Sequence, residues 1–250
     1  MPATHPELHA VTWPAPRWVR AVYTTRRGGV SDEPFAAQNL AAHVGDDLGA
    51  VRDNRAALRT ALGLAREPAW LAQVHGTTVV HAEAVGVPPP EADASVTSVP
   101  GLACAVLVAD CLPVLFCDRA GARVAAAHAG WRGLAAGVLE AAVDGLGVAP
   151  ASVSAWLGPA IGAERFEVGP EVRAAFVDHD PAAAADFRAG AGDRWHADLY
   201  ALARRRLAAL GVGQVHGGGE CTASDPERWF SHRRDGRTGR MAALIWIDPR

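Results

Sequence analysis

Apolar residues recur along this chain in two rhythms, and each rhythm predicts a different element. Short runs bounded by Gly, Pro or Asp predict strands at 19–25, 70–74, 78–81, 103–109, 114–117, 124–127, 153–157 and 242–247. Between them the spacing becomes helical. The segment 51–64 puts Val51, Leu58 and Leu62 on one face, and 134–146 repeats Leu134, Val138, Ala142 and Leu146 behind Gly133. That second segment predicts one helix launched directly from the strand that carries His128. Pro170 opens a short helix over 171–177, since proline is tolerated where the first amide has no partner. Asp198 caps a last helix whose Leu199, Leu202, Leu207 and Leu210 face inward until Gly211 stops it. The stretches 87–92, with three successive prolines, and 178–194, rich in Ala, Gly and Asp, predict loops. Neither separates halves of different composition and no repeat is visible, so the expectation is one domain over 1–250. Strands and helices mixed without regular β-α-β alternation predict an α+β layered fold.

Composition narrows the chemistry more than the fold. Half of the 250 residues are hydrophobic and a fifth are charged, as in ordinary folded proteins. The net charge of -3 leaves no electrostatic footprint for nucleic acid or a membrane surface. All 24 basic residues of the Lys+Arg set are Arg, which excludes a Schiff-base lysine, a Walker lysine and a lysine base. Any anion in an active site falls to Arg, His or backbone amides. Met1–Ala10 has neither an apolar core nor a basic lead-in, and no apolar run approaches the about 18 residues of a membrane span. The expected compartment is the cytoplasm, where the four cysteines stay reduced.

Three apolar runs each end in a side chain that a metal accepts: QVHG at 73–76, VLVADC at 106–111 and VAAAHAGWRG at 124–133. His75, Cys111 and His128 would make a zinc site with one position open, the pattern of a metal that performs chemistry. Far apart in sequence, they could equally be satisfied core residues. Cys111 and His128 both end strands, where side chains reach a rim. Asp110 beside the thiol reads either as a general base or as an orienting partner of a histidine. Arg132 stands at a helix start between Gly130 and Gly133, where an anion would meet guanidinium and free amides. TTRRGGVS, with Arg26, and FSHRRDGRTGRMA, with Arg233, read as anion-binding turns or as plain surface loops. Cys104 and Cys117 read as small buried hydrophobes, Cys221 as structural, and His5, His9, His43 and His179 as surface positions.

Taken in order, TTRRGGVS, QNLAAHVGDD with Asn54 and Arg55, QVHG, ADASVT, ADCLPVLF, AAHAGWRG, LGPAIG with FEVG, and CT followed by FSHRRDGRTGRMA make the chain resemble the YfiH-type family. Its members are described variously as laccase-domain, polyphenol oxidase or purine nucleoside phosphorylase proteins. The resemblance implies an α/β/β/α sandwich similar to that of cysteine hydrolases of the deamidating-toxin type. It also implies zinc held by His75, Cys111 and His128. The implied activity is phosphorolysis of adenosine, inosine and methylthioadenosine with adenosine deamination, so the partners are a purine nucleoside and phosphate. Some members resemble a peptidoglycan editing factor instead. Asp110 and Arg132 then stand as candidate catalytic residues, and Arg26, Asn39, Gln73 and Arg233 as candidate substrate or phosphate ligands. The chain departs from the family at Ala160, Ala163, Glu164 and Arg165, where many members carry cysteines.

The deaminase signature H-x-E with P-C-x-x-C is missing, so deamination would need another arrangement. A cysteine hydrolase, with Cys111 attacking and His128 as base, competes with zinc for the same atoms. A copper oxidase is disfavoured, because the chain has only Met1 and Met241 as axial candidates and no His-X-His pair.

Overall fold

In the computed structural model, which describes residues 5–249, the strand rhythm resolves into three sheets. In chain order the first elements are β1 (Leu8–Ala10), β2 (Val19–Thr24), α1 (Leu48–Ala61), β3 (Val79–His81), β4 (Ala94–Thr97), β5 (Cys104–Val108), β6 (Leu112–Asp118) and β7 (Val124–Ala129). There follow α2 (Trp131–Ala136), α3 (Val138–Gly145), β8 (Val153–Leu157), β9 (Glu167–Val168), α4 (Pro170–Val177), β10 (Phe187–Ala189) and β11 (Trp195–Ala197). The chain closes with α5 (Leu199–Leu210), β12 (Gln214–Gly217), α6 (His232–Asp235) and β13 (Met241–Ile247). The largest sheet has the order β12-β8-β6-β7-β4-β3, antiparallel within and parallel at both edge pairs. A second, fully antiparallel sheet has the order β1-β2-β13-β5, and a small third one the order β10-β11-β9.

The period of two within single strands sets the layers. In β6 and β7, Val114, Phe116, Ala125 and Ala127 pack with Leu134, Leu139, Ala142 and Leu207 of the helices. Their alternates Leu115, Cys117, Val124 and Ala126 meet Cys104, Val106, Ala243 and Ile245 of the second sheet. The alternates of those, Ala105, Leu107, Ala242 and Leu244, cover Leu40, Leu58 and Trp70 on the α1 side. The order of layers is therefore α/β/β/α. Strands β5, β6, β7 and β13 are buried along their whole length, as near-continuous apolar runs require when both faces are covered.

Several boundaries differ from the sequence reading, each for a local reason. The segment 70–74 forms no strand; it has one isolated bridge, at Ala72, and Ala69 just before it makes another. The side-chain amide of Gln73 takes the place of a ladder there, accepting from the Leu107 amide and donating to the Leu107 carbonyl at 2.7 and 2.8 Å. The helix expected over 134–146 is two helices. It begins earlier, at Trp131, and breaks at Gly137, whose φ of 105° only a residue without a Cβ adopts readily. Within 178–194, Asp180 caps a short turn at Pro181–Asp186 and β10 then pairs with β11, a partner beyond the Ala-rich window. β4 was not expected, because its ASVT sequence is short and weakly apolar; burial between β7 and β3 makes it a strand. The helix caps at Pro170, Asp198 and Gly211 are as expected, and Asp47 caps α1. The first four residues of the Met1–Ala10 segment lie outside the described residues. Among those described, no helix is long and apolar enough to cross a membrane.

Candidate metal centre and cleft

His128 is the fifth residue of β7 and shares the face of Val124 and Ala126, so the strand delivers its ring into the gap between the two large sheets. Cys111 lies in the tight connection from β5 to β6, turned by Asp110 at a φ of 90°. His75 sits on the QVHG loop with a φ of 62°, a second left-handed non-glycine residue beside the same site. The donor atoms of the three residues lie within 4.8 Å of one another, and the Cys111 Sγ to His75 Nε2 distance is 3.7 Å. The trio runs from exposed His75 through half-buried Cys111 to buried His128. Gly130 makes room for it: a Cβ there would stand 2.6 Å from His75 Cδ2 and 3.1 Å from Cys111 Sγ.

Charges and hydrogen bonds pair Cys111 and His128 as thiolate and imidazolium, so an ion that binds here displaces the His128 proton. Burial alone would raise the Cys111 thiol, but the charges and hydrogen bonds of His128 and His75 bring it below the ordinary thiol range. Burial alone would lower His128, and the Cys111 thiolate with the Asp93 carboxylate push it up instead. Asp93 itself is fully buried, which by itself would raise its pKa; hydrogen bonds from His128 and from the Gly76 and Val74 amides lower it below the usual carboxylate range. Asp93 Oδ1 lies 2.8 Å from His128 Nδ1, leaving Nε2 to face the trio. A tetrahedral zinc ion with bonds of about 2.0–2.3 Å sets its donors roughly 3.3–3.8 Å apart, so the observed spacing fits after a small contraction. Two imidazoles and one thiolate suit such an ion and leave the fourth position to the cleft.

The centre lies on a cavity of about 560 Å³ whose walls mix apolar plates, among them Leu107, Trp131, Ile161 and Phe166, with Arg132, Arg194, Arg233 and Arg240. Of the residues singled out in the sequence, Asp110, Arg132, Gln73 and Arg233 line it with the trio. Asp110 is 8% exposed and fully engaged: it accepts from Thr222 Oγ1 at 2.6 Å, Ser231 Oγ at 3.0 Å and the Arg233 amide at 2.6 Å. It touches no histidine; Asp93 occupies the orienting position instead. Arg132 stacks on its neighbour Trp131 at 4.4 Å. Arg233 donates to the Glu167 carbonyl at 2.7 Å and lies over Phe166 at 5.3 Å.

Arg26 and Asn39 are elsewhere. The Arg26 guanidinium clamps the carbonyls of Ala36 and Pro226 and covers Phe230, so it braces the TTRRGGVS turn rather than an anion in the cleft. Asn39 is fully buried, donates to Asp46 and the Ala41 carbonyl, and accepts from the Ala41 and Arg240 amides. It therefore anchors Arg240, which reaches the cavity in its place. Sequence reasoning missed Asp93, although it stands in the quoted ADASVT; a lone acid before a strand with no neighbouring ligand carried no chemical signal. Arg240, at the edge of the basic C-terminal run, was passed over in the same way. His43, expected at the surface, is exposed yet lines the cavity mouth.

The remaining cysteines match their expectations. Cys104 and Cys117 are buried, and burial pushes both thiols up to about 12. Cys221 accepts from the Gly162 amide at 3.2 Å. None of Ala160, Ala163, Glu164 and Arg165 lines the cavity, and Glu164 pairs with Arg188 at 2.8 Å on the outside.

Fold and site together define a four-layer α/β/β/α protein with a metal-competent His2Cys centre at the base of an arginine-walled cleft. The chain belongs to the family described as multi-copper polyphenol oxidoreductase laccase, which matches residues 20–248. It is 58% identical over 236 residues to a purine nucleoside phosphorylase of Pseudomonas aeruginosa, covering 94% of this chain and 96% of that one. It is 52% identical over 235 residues to the purine nucleoside phosphorylase YfiH of Escherichia coli, with the same shares covered. Among solved structures, a Neisseria meningitidis protein superposes with a TM-score of 0.94 at 52% identity, covering 97% of this chain and 99% of that chain. YlmD from Geobacillus stearothermophilus gives 0.88 at 30% identity, covering 98% and 100%. Despite the family description, the trio is the one group of three or more His, Cys, Asp or Glu residues among those described that could hold a metal. Met241 is buried with its sulfur accepting from the Phe230 amide, and Met1 lies outside the described residues.

Proposed function

We propose that this chain is a zinc-dependent purine nucleoside phosphorylase acting on adenosine, inosine and methylthioadenosine, with adenosine deamination as a second activity of the same site. The observation that carries the reading is one cavity uniting the His75–Cys111–His128 trio, apolar plates and several guanidinium groups. The similarity to relatives named purine nucleoside phosphorylase supports it.

Phosphorolysis forms a bond from a phosphate oxygen to C1′ of the sugar and breaks the bond from C1′ to the purine nitrogen. Phosphate needs donors placed beforehand, and Arg132 and Arg233 hold planar forks at the rim, steadied by Trp131 and Phe166. Leu107, Ile161 and the rings beside them offer a flat base an apolar surface. The Arg240 charge near Cys111 stabilises negative charge that develops as the base departs. His75, Cys111 and His128 would hold the zinc ion, which when bound supplies a Lewis acid and a site that acidifies water for deamination. The engaged Asp110 orders the α6 segment, so its contribution is to place Arg233.

The lowered Cys111 thiol beside two imidazoles favours a second reading, a hydrolase in which Cys111 attacks and His128 moves the proton. Metal content separates the two, because a bound ion takes the thiolate as a ligand and blunts its nucleophilicity. The deciding experiment incubates metal-analysed protein with inosine, with and without phosphate. Hypoxanthine and ribose 1-phosphate are expected only when phosphate is present; absence of phosphate-dependent base release from both inosine and adenosine overturns the proposal.

A further inference from the structure

Two of the three candidate ligands are held by one residue that is not itself a ligand. Asp93 directly precedes β4, and its side chain is wholly buried. Its Oδ1 takes the His128 Nδ1 hydrogen bond at 2.8 Å and the His75 amide at 2.9 Å. Its Oδ2 takes the amides of Val74 and Gly76 at 3.1 and 2.7 Å. Three successive amides thus converge on one carboxylate, the geometry of a backbone anion nest. The His75 φ of 62° lies within that nest, where the carboxylate contacts offset the cost of a left-handed non-glycine residue. The Asp93 main chain ties the same parts together: its carbonyl accepts from the His128 amide at 2.7 Å and its amide donates to Thr78 at 3.1 Å. Strand β7 and the QVHG loop, far apart in the chain, are both bonded to this one carboxylate.

We propose that Asp93 is the positioning residue of the metal centre: its carboxylate folds the 74–76 loop and orients His128, so that both imidazoles are in place before any ion arrives. The proposal rests on the metal-binding reading of the trio for its consequence, but the loop's order is independent of metal. Asp93→Asn is the informative change. It keeps size and shape, yet it turns one acceptor oxygen into an NH2 that opposes the backbone amides or His128 Nδ1–H.

The test titrates cobalt(II) into wild-type and D93N protein and follows amide hydrogen exchange of residues 74–76 in both metal-free forms. Wild type should protect the three amides, and D93N should lose that protection with its global melting retained. Cobalt affinity should fall roughly 10- to 100-fold, the usual loss for an outer partner of a ligating histidine. The thiolate-to-cobalt absorption should persist through Cys111 while the intense bands of tetrahedral cobalt weaken as His75 is released. Wild-type affinity, spectrum and amide protection in D93N overturn the proposal. If D93N does not fold, unprotected 74–76 amides in metal-free wild type overturn it, and protected ones support it. A wild-type protein that binds no cobalt sinks the metal reading instead, leaving the exchange measurement to judge Asp93.

Discussion

At the base of the cleft, Asp93, His128 and Cys111 are fixed by sheet strands and their connections, and the carboxylate there has every contact it can use. At the rim, Arg132 and Arg233 sit on short helices and Arg194 on a loop, all exposed, with aromatic rings supporting the first two and one Arg233 donor held by the Glu167 carbonyl. The base holds a trio that could bind one metal ion, and burial makes an unmet polar atom there costly. The rim suits an anion that comes and goes, because exposed guanidinium groups keep their hydration until a phosphate replaces it. Rigidity and adaptability are thus divided over a few ångströms of one cavity.

That division can be broken from either end. The largest effect should come from the base: Cys111→Ala should abolish stoichiometric zinc and lower phosphorolysis by more than the about 100-fold of an outer-partner change. Wild-type zinc content by elemental analysis in that variant would remove Cys111 from the centre. Next, the metal-free protein should be alkylated at Cys111 at pH values below the ordinary thiol range. A lowered pKa keeps the thiolate populated as pH falls, and added zinc should protect it. Reactivity that begins only at alkaline pH would contradict the thiolate–imidazolium arrangement. At the rim, Arg233→Ala should raise the KM for phosphate about tenfold, the worth of one hydrogen bond to a charged group, with zinc content unchanged. The smallest effect belongs outside both regions. Arg26→Ala should leave the phosphate KM unchanged and cost about 1 kcal/mol of stability in denaturant unfolding, through its carbonyl contacts.

The readable parts of the molecule were those with local causes. Short, near-continuous apolar runs marked β5, β6, β7 and β13 as strands, and Asp198, Pro170 and Gly211 marked helix ends. Gly137 was also in view, but a single glycine inside a helical pattern carries no certain break until its left-handed φ is seen. The trio was legible as chemistry because each ligand closes an apolar run. Arg26 stayed ambiguous for the opposite reason: paired arginines before paired glycines look alike whether they grip phosphate or two carbonyls of their own chain.

By itself, the sequence determined the alphabet of the site: no lysine, a thiol and imidazoles at the ends of apolar runs, and arginine as the only strong cation. It pointed to a layered α+β fold too, because strand-length apolar runs and helical spacings mix along the chain without regular alternation. Only the tertiary structure decided which carboxylate serves the histidines, Asp93 rather than Asp110, and which arginines face the cavity. The physical reason is that hydrogen bonds and charge pairing depend on distances of about 3 Å between residues tens of positions apart. No local pattern encodes such a distance; the packing of β4 against β7 does.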